Sequence, residues 1–224
     1  MEVVLGHLPE GTAEYVERLL AGEDLGDAGV EVRIVGRRRS KLGDHRGPGP
    51  GRSAHRITLN EDLNPYAFLT TLLHEIAHAL TWERHERHRR RHARRVLPHG
   101  PQWKGEFGRI LLPVVRERLL PTDVTAALAR YLRDPRAATC SDRGLVVALA
   151  RYDSPDPCRV RVEEIPLGAA FRIEGGRQFL KGPKLRSRYR CFDARTGAEY
   201  RIHALFHVEP CAADPAAVTP RRRA

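Results

Sequence analysis

Leu72-Leu73-His74-Glu75-Ile76-Ala77-His78-Ala79-Leu80 sets two imidazoles and a carboxylate inside a run that is otherwise wholly apolar. Upstream, Asn64-Pro65 is a strong helix start, because the Asn side chain can accept from free amides while proline in the first turn loses no helical hydrogen bond. The helix so begun carries Phe68, Leu72, Leu73, Ile76 and Leu80 as a core-facing stripe and should run to about Trp82. Residues four apart on a helix stand one above the other, about 5 to 6 Å between Cβ atoms, so His74 and His78 can grip one ion. Glu75 is rotated off that line, toward a water on the metal. This is the His-Glu-x-x-His spacing, in which zinc acidifies a bound water and the glutamate takes its proton. A buried carboxylate with no partner costs several kcal/mol, so a metal-water partner explains Glu75 more simply than a core role.

A catalytic zinc takes three protein ligands and one open position. Val96-Leu97-Pro98-His99-Gly100-Pro101 offers the third: Gly100 permits a sharp turn, Pro101 fixes entry into a new helix, and His99 can be aimed back at the first. A competing trio, His85, His88 and His92, shares a helical spacing, but seven arginines surround it: Arg84, Arg87, Arg89, Arg90, Arg91, Arg94 and Arg95. Like charge opposes a dication there. That basic stretch reads as a solvated segment or a contact for DNA or another polyanion.

Working outward, Thr12 is placed to cap a helix bearing Val16, Leu19 and Leu20 that runs out near Gly22. Val30, Val32 and Ile34 alternate as a half-buried strand. Residues 36–55 are too rich in Gly, Pro and charge to be regular and read as a loop or frayed hairpin, returning through the strand His55–Asn60. The helix from Pro101 shows Trp103, Phe107 and Leu111 on one side, with Pro113 expected to break or kink it. Another starts at Thr122. From Gly144 onward short strand-like runs, Leu145–Tyr152 the first of them, are divided by turn signals such as Gly175-Gly176 and Thr196-Gly197. The expected organisation is an α+β core over 1–138, a small all-β domain over 139–212, and a disordered basic tail over 213–224, with no internal repeat.

Composition narrows the classes. A chain of 224 residues can bury a real core. The N-terminus lacks the features of a signal peptide, and no segment approaches the roughly 18 apolar residues of a membrane span; a soluble cytoplasmic protein is expected. Cys140, Cys158, Cys191 and Cys211 form no CxxC pair and read as reduced thiols. The formal charge of +11 favours polyanionic partners through counterion release.

Taken in order, Arg37–Arg46 leading to the strand His55–Asn60, then the Leu63–Leu80 helix, then His99-Gly100-Pro101-Gln102-Trp103 resemble the SprT-like zinc metalloproteases, over roughly residues 5–120. The resemblance implies a small zincin-like core with His-Glu-x-x-His on the active-site helix, one Zn2+ per chain on His74, His78 and His99, Glu75 as general base, and a protein or peptide substrate. Many members continue into a four-cysteine zinc ribbon; this chain does not, so no second zinc and no DNA sensing by such a module are carried over. Three functions stay open on the sequence: a metallopeptidase, acting also on nucleic-acid-associated proteins; a basic nucleic-acid-binding protein with a structural or vestigial zinc; and a zinc hydrolase of other substrates.

Overall fold

The computed structural model describes residues 2–25, 29–38, 41–87, 96–133 and 142–212. The described chain is mixed α+β and divides into two compact units, Met1–Ser154 and Pro155–Ala224. The expected tail, Cys140, His88, His92 and the arginines 89–95 lie outside the described residues.

In the first unit, α1 (Glu2–Leu5) and α2 (Ala13–Ala21) precede β1 (Val30–Val35), β2 (Gly43–Arg46) and β3 (His55–Asn60). These strands form one sheet in the order β1-β3-β2, with β1 parallel and β2 antiparallel to the central β3. Alternation in β3 buries Ile57 and Leu59 completely. Ahead of α2, Thr12 stands at the cap position, yet its hydroxyl donates to Pro9 O at 2.7 Å and caps nothing. A backbone already in the α region at Thr12 turns the hydroxyl away from the free amides.

Helix α3 (Pro65–Thr81) crosses this sheet. Asn64 Oδ1 accepts from Tyr66 N and Ala67 N at 3.1 and 3.0 Å, the cap that Asn-Pro forecast. The helix is buried nearly all round, from Ala67 to Ala77 without a break, so the stripe read from the sequence understates it. Beyond Thr81 the helix continues as a π-helical turn, Trp82–Glu86.

Helix α4 (Pro101–Arg116) packs on α3 through Trp103 and Phe107, whose rings stack at 5.0 Å. It does not break at Pro113. A proline there removes one hydrogen bond and costs about 3 kcal/mol, but Ile110, Leu111 and Val114 are buried on both sides of it and hold the helix together. Helix α5 (Thr122–Tyr131) begins where expected.

The expected strand at Leu145–Tyr152 is a helix, α6 (Arg143–Ala150). Asp142 caps it by accepting from Leu145 N at 2.9 Å, and Leu145, Ala148 and Leu149 fall at helical spacing against the first core. A short apolar run fits strand and helix equally. Here the cap decides. The compact first unit therefore reaches Ser154, beyond the expected boundary at 138/139.

The second unit carries a six-stranded sheet, β4 (Val160–Arg161), β5 (Ala170–Arg172), β6 (Gln178–Lys184), β7 (Arg188–Asp193), β8 (Glu199–His203) and β9 (His207–Cys211), ordered β4-β9-β5-β6-β7-β8 with every pairing antiparallel. Gly175 and Gly176, both with positive φ, turn β5 into β6, as the Gly-Gly signal implied. Val162, Phe171, Phe179, Cys191 and Val208 form its core. Cys158, Cys191 and Cys211 are free. No helix among the described residues is long and apolar enough to cross a membrane.

Candidate metal centre

Helix α3 presents His74 and His78 one turn apart, and Gly100 at the N-terminus of α4 swings His99 across to meet them. The three Nε2 atoms make a nearly equilateral triangle: 3.3 Å from His78 to His74, 3.1 Å from His78 to His99 and 3.2 Å from His99 to His74. These contacts cannot all be hydrogen bonds, because a ring nitrogen that carries a proton has no lone pair left to accept one. A tetrahedral zinc with Zn–N of about 2.0 Å separates its nitrogen ligands by about 3.3 Å. The triangle has that edge. Among the described residues this is the one cluster of potential ligands close enough to hold a metal ion.

The protonation balance agrees. Burial and the neighbouring imidazoles push His74 down to about 3 and His78 down to about 4, and burial also lowers His99. All three are neutral lone-pair donors, the form a metal requires. Trp103 backs the cluster, its ring 4.6, 5.5 and 4.8 Å from those of His74, His78 and His99, and its Nε1 donates to His74 O. The outer nitrogen of His74, Nδ1, is buried with no hydrogen-bond partner among the described residues.

Glu75 is 7 % exposed. Its carboxyl is pushed up to about 8, first by burial and then by Asp44, against the opposing fields of Arg38 and Lys41. Strand β2 lies directly over it. A Cβ on Gly43 would come within 2.7 Å of Glu75 Oε1 and 2.8 Å of Thr71 Cγ2, and one on Gly47 within 3.0 Å of Trp82 Nε1. The strand therefore follows α3 in steps of two residues, Gly43 over Glu75, His45 beside His78 and Gly47 over Trp82. Arg38 and Asn60 anchor the chain before it: Arg38 donates to Asn60 Oδ1 and Thr58 Oγ1, both at 2.8 Å, and Asn60 Nδ2 donates to Lys41 O at 3.1 Å.

His74, His78 and His99, expected as ligands of one ion, are thus brought together. The sequence reading left β2 inside a loop or frayed hairpin and did not single out His45. His45 lies with its ring parallel to that of His78, centroids 6.2 Å apart, and the signal for it was Gly43-x-His45-x-Gly47, two glycines bracketing a histidine on one face of a strand.

Of the arginines in the basic stretch, two are described and both are ion-paired. Arg84 pairs with Asp24 at 2.6 Å and Glu106 at 2.9 Å, and Arg87 with Glu83 at 2.8 Å. Among known proteins, residues 12–115 match the model of the SprT-like family. No curated protein and no solved structure matches the chain.

Proposed function

From the match of residues 12–115 to the SprT-like family, we propose that the chain is a zinc-dependent metallopeptidase with a zincin-like core, in which His74, His78 and His99 hold the ion and Glu75 is the general base. The observation that carries this is the Nε2 triangle of His74, His78 and His99. Zinc held there would supply a Lewis acid for the scissile carbonyl and lower the pKa of water.

The chain's own residues do the rest. Glu75, next to His74 on α3 and buried, would in its ionised form take a proton from the attacking water and return it to the leaving amine. Gly43 lets β2 press on Glu75, which restricts its rotamers. Trp103 and Phe107 wall the far side of the imidazoles and keep bulk water from behind them.

The test is zinc content per chain together with hydrolysis of a casein-like protein. Glu75→Gln should retain one zinc and lose about 10²- to 10⁴-fold in turnover; His99→Ala should lose the metal itself. Chelator-insensitive cleavage, or a Glu75→Gln protein as active as the parent, defeats the reading. The formal charge of +11 favours a second reading, a nucleic-acid-binding protein whose metal is structural. Salt-sensitive DNA binding without any cleavage is its signature, and cleavage stimulated by single-stranded DNA would join the two.

A further inference from the structure

A chain of four polar side chains leaves the metal centre through β2 and ends in the π-helical turn. His45 Nε2 lies 2.9 Å from His55 Nδ1, His55 Nε2 lies 2.9 Å from Glu83 Oε1, and Arg87 Nη1 donates to Glu83 Oε2 at 2.8 Å. The side chain of His55 is fully buried and that of Glu83 is 6 % exposed. Trp82 closes the edge of His55 at 5.2 Å. None of this is needed to hold the metal.

The direction of each hydrogen bond follows from its far end. Burial opposes charge on Glu83, but donation from His55 and Arg87 outweighs it and holds the carboxyl below its ordinary range. An ionised carboxylate only accepts, so His55 must carry its proton on Nε2. A neutral His55 then has a bare Nδ1, which can only accept, and His45 must donate to it from Nε2. The other nitrogen of His45 is left as a lone pair. His45 is only half-buried, and no described residue bonds to its Nδ1.

We propose that Glu83 and His55 are positioning residues that fix the tautomer of His45, so that its Nδ1 stands beside the metal centre as an acceptor for an N–H group of the substrate backbone. The wiring also states what His45 does not do: with no proton on Nδ1 it offers no hydrogen bond to a developing oxyanion. A ligand amide in the cleft meets an acceptor there, next to the strand that shields Glu75. Glu83 belongs to the π-helical turn that continues α3 past Thr81, and its carboxylate meets His55 there. The substrate half of the proposal rests on the peptidase reading; the tautomer half does not.

Two measurements separate them. With 15N-labelled histidine in the zinc-loaded protein, long-range 1H–15N correlation distinguishes a protonated ring nitrogen from a bare one, and His45→Phe identifies the His45 signals. The expected pattern is a bare Nδ1 and a protonated Nε2 on His45, retained in Glu83→Gln, whose amide oxygen still accepts, and lost in Glu83→Leu. A protonated Nδ1 in the parent overturns the wiring. For the contact, His45→Phe should keep its zinc and raise KM roughly ten-fold with kcat little changed, the effect of one hydrogen bond. Replacing the contacted substrate amide by an ester should impose the same penalty on the parent and none on His45→Phe. Equal KM values for parent and His45→Phe overturn the contact. A parent that cleaves no peptide overturns the peptidase reading and the contact with it, while the tautomer is decided by the spectrum in either case.

Discussion

A methyl group at position 43 would stand 2.7 Å from Glu75 Oε1 and 2.9 Å from its Cγ, closer than carbon and oxygen tolerate, and because the buried backbone of α3 cannot retreat the Glu75 side chain must give way. Gly43→Ala should therefore move the Glu75 carboxylate and leave the imidazoles in place. A displacement near 1 Å can cost about 10²-fold in rate, so kcat should fall by that order with zinc content unchanged; an alanine variant with parental kcat would show that β2 does not position Glu75. At this scale the site was half legible in the sequence. His74, Glu75 and His78 announce themselves because one helical turn converts sequence spacing into spatial spacing. His45 and His55 do not, since their bond to each other depends on an antiparallel register in which His45 faces Ile57 and His55 lies two residues earlier, and nothing local in the chain states a register.

At the scale of elements, Asn64 ties together pieces far apart in sequence. Its Oδ1 caps α3, while its Nδ2 donates to Leu149 O at 3.0 Å and to Asp153 Oδ1, at the end of α6. Loss of a cap costs about 1 kcal/mol, and losing the two hydrogen bonds that Nδ2 donates to Leu149 O and Asp153 Oδ1 adds about 0.5 to 1.5 kcal/mol each. Asn64→Ala should lower unfolding free energy by about 2 to 4 kcal/mol in urea titrations, more than a cap alone; a loss under 1 kcal/mol would mean that α6 is not secured there. The capped helix start was readable because Asn-Pro states its own chemistry. The helix α6 was not, because Leu145–Leu149 is apolar at every position and carries no period, and its capping Asp142 follows no recognisable break. Pro113 misled in the opposite direction: its local penalty is real, but the burial of Ile110, Leu111 and Val114 outweighs it, a tertiary effect that no window of sequence contains.

Across the whole molecule the two units differ in what they can report. Both tryptophans, Trp82 and Trp103, belong to Met1–Ser154, and the second unit has none. Trp103 touches all three imidazoles, so its fluorescence should change when zinc is added or chelated. If the ion binds only the folded first unit, it stabilises that unit by RT ln(1 + [Zn]/Kd), about 2.7 kcal/mol at a hundred-fold excess over Kd. The second unit offers no ligand cluster among its described residues, and its core of Phe171, Phe179 and Cys191 owes nothing to a metal. Chelation should therefore lower the denaturation midpoint followed by tryptophan fluorescence, while amide-exchange protection in β6 and β7 stays as it was. Equal loss of protection in both units would mean that they unfold as one cooperative body, and an unmoved fluorescence midpoint would mean that His74, His78 and His99 hold no metal.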